Sequence, residues 1–301
     1  MDRPASFLDE ALSLDDGDSN NLQPWIGRVV LVEDCVETNG AFVLHHLIKR
    51  FLSPNLSSSD SIVIFVAFAQ PFSHYDRILL PLGDRQGEGV PSKEAKRDIG
   101  DMDWRDLVTG LELAWVGGLG FAELGCNLVV QRENKRLIFF DMLMLECPDD
   151  GVEDGIIALY GNIQKAVEAV SSLNKNITIM IDDISLLEVA ANGSTKDVLD
   201  FMHYCHTLTT QFACTIITVI HEDIYSSADH FTLPLQMEHL ADIKIKAEPL
   251  VTGLAADVHG QLTILNKGSS DGLGRWKSKI RNFHYRVKEN SVEYFYPGGR
   301  T

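Results

Sequence analysis

The stretch Gly27-Arg28-Val29-Val30-Leu31-Val32-Glu33-Asp34-Cys35-Val36-Glu37-Thr38-Asn39-Gly40-Ala41 decides the reading of the chain, because it changes character twice within fifteen residues. Gly27 to Val32 is apolar and β-branched, the composition of a strand. Glu33 to Gly40 is a polar turn. Beyond it Phe42, Val43, Leu44, Leu47, Ile48, Phe51 and Leu52 fall at helical spacing until Ser53-Pro54 stops them. Strand, turn and helix follow one another without a linker.

The alternation continues outward. Ile62 to Ala69 is an unbroken apolar run of strand length, as a strand buried on both faces requires. Lys135 to Asp141 is another. A helix from about Glu153 to Leu173 leads into the strand Ile177 to Ile181, which ends in Asp182-Asp183. Val198 to Gln211 reads as helix, Thr215 to Ile220 as strand and Leu233 to Leu240 as a short helix. Ala241–Glu248, Gln261–Asn266, Phe283–Val287 and Val292–Tyr296 are strand-like with turns between them. Apolar strands alternating with amphipathic helices mean parallel βαβ units, and the last strands suggest antiparallel hairpins at one edge. This arrangement suits an α/β, RecA-like (P-loop NTPase-like) core, a mostly parallel sheet flanked by helices. No internal repeat interrupts it.

Two regions stand apart from the expected single domain over residues 23–301. Residues 1–22 are acidic and rich in Ser and Asn, which predicts a flexible tail that docks by its Phe7-Leu8, Leu12 and Leu14 apolar element. Residues 81–120 lose all periodicity, passing from Gly-rich, charged turns through Trp104–Trp115 to Val116-Gly117-Gly118-Leu119-Gly120. Such a stretch in a compact domain is expected to be a surface or disordered insertion adding little to the core.

Composition sets the outer bounds. The hydrophobic fraction of 45% suffices for a sizeable core. No apolar run reaches the roughly 18–20 residues that span a bilayer, and no basic n-region with an apolar h-region opens the chain. Five scattered cysteines (Cys35, Cys126, Cys147, Cys205, Cys214) suit a reducing compartment, so the expected location is cytoplasmic and nuclear. A formal charge of −17 opposes nonspecific nucleic-acid binding by the whole surface. Between Asn266 and Lys288, however, seven basic residues stand against the single acid Asp271.

The turn after the first strand is where a RecA-like ATPase would cradle phosphates. That chemistry needs several glycines for close amide approach, a lysine for the outer phosphates and a Ser or Thr hydroxyl for Mg²⁺. Here Glu33-Asp34-Cys35-Val36-Glu37-Thr38-Asn39-Gly40-Ala41 offers one glycine and no lysine, and Ala41 stands where the hydroxyl is expected. Glu33, Asp34 and Glu37 crowd carboxylates into the space of a triphosphate, which like charge opposes. A structural turn without a cofactor is the expectation. The acid-ended strand Ile177–Asp183 matches the second nucleotide signature, whose Asp holds Mg²⁺ in working enzymes. Without the lysine, Asp182 and Asp183 are expected to be structural, capping Ile184–Val189.

Other chemistry finds little support. His203 and His206 share a helix face, but Cys205 points elsewhere and no second pair completes four zinc ligands. His45-His46 lies in a helix with no nucleophile nearby, and no Gly-x-Ser-x-Gly elbow is present. No catalytic residue and no metal ligand set emerges. The basic segment is more suggestive. Lys267, Arg275, Trp276, Lys277, Lys279 and Arg281, with Phe283 and Tyr285, combine cations and rings as backbone tracking plus base stacking requires. The plainer alternative is a solvated hairpin with Phe283 and Tyr285 packed inward by strand alternation.

An ordered set of short motifs carries a resemblance. Phe42-Val43-Leu44-His45-His46-Leu47, Ser73-His74-Tyr75, Asp182-Asp183-Ile184-Ser185, Leu199-Asp200-Phe201-Met202-His203-Tyr204-Cys205 and Asp257-Val258-His259-Gly260-Gln261-Leu262 resemble the Elongator complex protein 6 family from about Gly27 to Phe295, and are similar to its plant-type members. The resemblance implies a RecA-like subunit without ATP-binding signatures. It implies a hetero-hexameric ring with Elongator subunits 4 and 5, two copies of each, joined to the catalytic subcomplex. The ring would bind tRNA and support wobble-uridine modification, with a role in regulation of transcription. Residues 81–120 depart from the family's shorter path between the Ser-His-Tyr helix and Leu124-Gly125-Cys126, as a lineage-specific loop or translated intron would. Two other readings stay open: an ATPase with an unusual nucleotide site, and a regulatory module that binds only protein.

Overall fold

A computed structural model describes residues 8, 9, 12, 25–52, 61–80, 126–144, 152–173, 175–225, 232–250, 253, 255, 257–268, 278–288 and 292–297. Nine strands form one sheet: β1 (Val29–Asp34), β2 (Ser61–Ala67), β3 (Leu137–Asp141), β4 (Asn176–Ile181), β5 (Thr215–His221), β6 (Ile243–Glu248), β7 (Gly260–Asn266), β8 (Lys279–Val287) and β9 (Val292–Phe295). Their spatial order is β3-β2-β4-β5-β1-β6-β7-β8-β9. All pairs from β3 to β6 are parallel. Those from β6 to β9 are antiparallel.

The described helices are α1 (Ala41–Leu52), α2 (Phe72–Leu79), α3 (Leu128–Glu133), α4 (Val152–Ser171), α5 (Ile184–Ala190), α6 (Thr195–Phe212) and α7 (Thr232–Leu240). Strand alternation divides the apolar side chains between two cores. Val30 and Val32 face α1 together with Phe65, Met180, Ile217 and Ile245. Val29 and Leu31 face the other layer, with Ile163 and Val167 of α4 and Phe201 and Met202 of α6. Every residue of β1 and β2 is buried, which explains the apolar runs Val29–Val32 and Ile62–Ala67 within them.

Several boundaries differ from the sequence reading: β1 runs on through Glu33 and Asp34, which were expected in the turn, and β8 begins at Lys279 and not at Phe283. The strand expected from Lys135 begins at Leu137, because Lys135 turns the chain with φ of 56° after α3. Helix α3 itself was not foreseen; its Asn127 side chain accepts the Val130 amide and starts it. The docking element of the N-terminal stretch is present: Leu8 and Leu12 are buried in the α1-side core. Trp25 Nε1 donates to the Leu12 carbonyl at 3.1 Å, and Asp9 meets His46 Nε2 at 2.8 Å. The remainder of residues 1–22 and all of the expected insertion at 81–120 lie outside the described residues. No described helix is long and apolar enough to cross a membrane.

The ends that flank the expected insertion meet. The Leu79 carbonyl accepts the Cys126 amide at 2.9 Å, and Asp76 Oδ1 accepts the Leu128 amide at 3.0 Å. Replacing residues 82–124 by a short Gly-Ser link is therefore expected to preserve cooperative unfolding. The shorter connection between Leu79 and Cys126 is expected to add about 2 kcal/mol of stability, since closure entropy grows with the logarithm of the length joined. Urea unfolding checks this; loss of the cooperative transition contradicts it.

Candidate functional site

The carboxyl ends of β1, β4 and β5 converge on one edge of the sheet, where open α/β sheets place ligands. Residues 35–40 turn tightly there before α1, with Cys35 bridged to Thr38 and the Thr38 amide donating to the Cys35 carbonyl at 2.9 Å. The Thr38 hydroxyl donates to the Ala247 carbonyl at 2.9 Å, tying the turn to β6.

The amides that an anion would use carry acceptors from the chain itself. Gly40 N–H donates to Asp34 Oδ2 at 2.6 Å, Ala41 N–H to Asn39 Oδ1 at 2.8 Å and Val36 N–H to Asp223 Oδ2 at 3.1 Å. A carboxylate at the amino end of a helix is favoured by the exposed N–H groups and the helix dipole. Glycine is needed at position 40 for this approach. A Cβ there would lie 3.1 Å from the Asp34 Cβ and 3.3 Å from Val32 Cγ1.

Asp34 has a second partner. It lies level with His221 across the parallel β1–β5 pair, and its Oδ1 meets His221 Nδ1 in a short hydrogen bond. The other ring nitrogen, Nε2, lies 3.2 Å from Asp183 Oδ2. One imidazole thus bridges the turn after β1 to the acid end of β4. Its flanking carboxylates are deeply buried, with side chains 1% and 3% exposed, against 34% for His221. The bonds to Asp183 and Asp34 push the His221 pKa up to about 10, so the ring is an imidazolium at neutral pH. Two acids sharing one cation carry far less local charge than the crowded carboxylates the sequence suggested.

The remaining acids are also engaged. Asp183 caps α5, its Oδ1 accepting the Leu186 amide at 3.0 Å, as expected from the sequence. Asp182 accepts from the Phe68 amide at 2.6 Å, the Ala69 amide at 3.0 Å and the Tyr75 hydroxyl at 2.6 Å. Burial raises the Asp182 pKa, while these donors pull it down. Glu33 pairs with Lys244 Nζ at 2.8 Å, and burial raises its pKa against the pull of that ammonium. Glu37 is exposed. The sequence reading missed His221 and Lys244. His221 closes β5 and Lys244 alternates with isoleucines in β6, and only the strand order brings each beside β1.

The basic segment is placed in part. Arg275, Trp276 and Lys277 lie outside the described residues. Lys267 Nζ donates to the Glu238 carbonyl, Arg286 faces Asp257 at 3.5 Å and Lys288 pairs with Glu293. Lys279 is exposed on β8, and Arg281 is half-buried on the same strand. Phe283 and Tyr285 continue that face of β8 into the core, each 2% exposed. Tyr285 packs on Phe42 of α1 with ring centroids 4.8 Å apart. The inward-packing alternative is the correct one for these two rings, which cannot stack on bases. Elsewhere Cys205 is fully buried and its thiol pKa is raised by burial, whereas His203 is exposed. Among the described residues no group of three or more His, Cys, Asp or Glu side chains is placed to hold a metal ion.

A parallel core in this order, extended by antiparallel strands beyond β6, with an acid-ended strand facing the turn after β1, defines a RecA-like α/β protein. Solved structures agree on the fold. A KaiC-like protein from Pyrococcus horikoshii OT3 superposes with a TM-score of 0.52 at 9% identity, covering 92% of this chain and 95% of that one. An uncharacterized protein from Pyrococcus horikoshii gives 0.50 at 13% identity, covering 91% and 93%. The family model for Elongation complex protein 6 matches residues 121–289, and the chain belongs to that family. Elongator complex protein 6 of Xenopus laevis is 26% identical over 278 residues, covering 91% of each chain. The Homo sapiens relative is 27% identical over 278 residues, covering 90% of this chain and 91% of that one.

The two perturbed imidazoles act in separate pH windows. His221 has a folded pKa of about 10 against an ordinary 6.5, so its contribution is complete below 6.5 and is lost as pH rises towards 10. His45 is lowered to about 4, by burial first and then by His74, so it costs stability as pH falls below 6.5. Buried thiols such as Cys126, raised to about 11, also weaken the fold in alkali. Urea midpoints of wild type minus His221→Gln are therefore expected to fall between pH 6.5 and 10. A difference that does not change with pH contradicts the bridge.

Proposed function

We propose that this chain is a non-catalytic subunit of the Elongator complex that does its work without a nucleotide of its own. It forms a RecA-like hetero-hexameric ring with Elongator subunits 4 and 5, in the cytoplasm and nucleus. The ring binds tRNA and presents it for wobble-uridine modification by the catalytic subcomplex.

The observation that carries this reading is the occupancy of the turn after β1. A triphosphate would have to displace Asp34 from the Gly40 amide and break its bond to His221. Hydrogen bonds to charged groups are worth about 1.5–3 kcal/mol each, and the buried acids left behind would repel the newcomer. Family membership supplies the assembly context. The edge itself suits a protein neighbour: Val36 is 88% exposed, and Val189, Ile224 and Leu186 flank the same loops. Lys279, exposed on β8 of the antiparallel extension, lies well away in sequence from that edge and supports the RNA contact of the reading.

Co-expression with Elongator subunits 4 and 5 followed by native mass measurement tests the proposal. Two copies of each chain are expected; a ring that forms without this subunit contradicts it. With that ring in hand, reversing Arg275, Lys277, Lys279 and Arg281 to Glu is expected to weaken tRNA binding and make its salt dependence shallower, by about one unit of slope per lost phosphate contact. Unchanged binding and slope would favour a subunit that touches only protein.

A further inference from the structure

We propose that Asp34 and His221 form a built-in ligand pair that locks the loops after β1, β4 and β5 in a single arrangement, taking the places of a bound anion and its counter-cation. Three observations combine. The Asp34 carboxylate accepts the Gly40 amide, immediately ahead of α1, at 2.6 Å, where an anion would bind. His221 then joins that carboxylate to Asp183, which caps α5 and so fixes the loop after β4. The His221 amide also donates to the Ser185 hydroxyl at 3.1 Å, a second tie between the loops after β4 and β5.

The arrangement has a physical consequence. A diffusible anion holds such loops only while it is bound, so they report its concentration. An anion and cation that belong to the chain are always present, at the cost of no translational freedom. The edge that displays Val36, Leu186, Val189 and Ile224 is therefore fixed, whatever nucleotide surrounds it. This rests on the subunit reading only for its use, a constant contact surface for a partner chain. The lock itself belongs to the isolated chain. It is tested there, so that failure of assembly and failure of the lock are distinguishable.

Amide hydrogen exchange on the full chain reads the lock directly. In His221→Gln, amides of residues 35–41, 184–186 and 221–225 are expected to exchange about tenfold faster or more, the weight of a lost charged hydrogen bond, while the centres of β2 and β4 keep their protection. In Asp34→Ala the same loops loosen, and formate, the smallest carboxylate, restores their protection relative to chloride at equal ionic strength. Wild type responds to neither formate nor Mg-ATP. The proposal is overturned if the loops of the folded His221→Gln protein exchange at the wild-type rate, or if Mg-ATP adds protection to the wild-type loops. Should Asp34→Ala fail to fold, the His221→Gln and nucleotide arms decide the matter.

Discussion

The edge of this sheet depends on one imidazolium held between two buried carboxylates. Asp34 and Asp183 stand at the ends of strands that in a phosphate-binding protein would face a triphosphate and its metal. Left alone in so buried a site, both would need to lose charge or recover hydration. His221 resolves this without a ligand, because β5 lies between β4 and β1 and its last residue is level with Asp34. The same geometry gives Asp34 its other partner, the amide of Gly40, and Gly40 is small enough to permit the approach. From that bridge follow the closed turn, the capped helix α5 and the fixed apolar rim.

The fold around the bridge was largely legible in the residues. Strands β1, β2, β4 and β5 are buried on both faces, so burial writes them as unbroken apolar runs. From β6 onward the pattern changes to alternation, as in Ile243-Lys244-Ile245-Lys246, because one face is buried more deeply than the other. The Asp183 cap could be read because capping is local, set by a side chain and an amide three residues apart. Helix α3 escaped notice because it is only six residues long and leaves Val129 and Val130 exposed, so no apolar helical stripe marks it beyond the Asn127 cap.

The site was half legible. Missing lysine and glycines are visible in one stretch of chain. What stands in their place was not visible, since His221 and Lys244 are 187 and 211 positions from their partners and meet them only through sheet order. A count of acids therefore overstated the local negative charge. The basic segment shows the converse. Charge and aromatic content suggested a stacking surface, yet Phe283 and Tyr285 close the core under α1.

The most direct measurement is the imidazole nitrogen NMR spectrum of His221 in the isolated chain, titrated with pH and then with Mg-ATP. The account predicts a doubly protonated ring through neutral pH, losing its proton only near pH 10 and unmoved by saturating nucleotide. A neutral ring at pH 7, or a saturable shift on adding Mg-ATP, would contradict it.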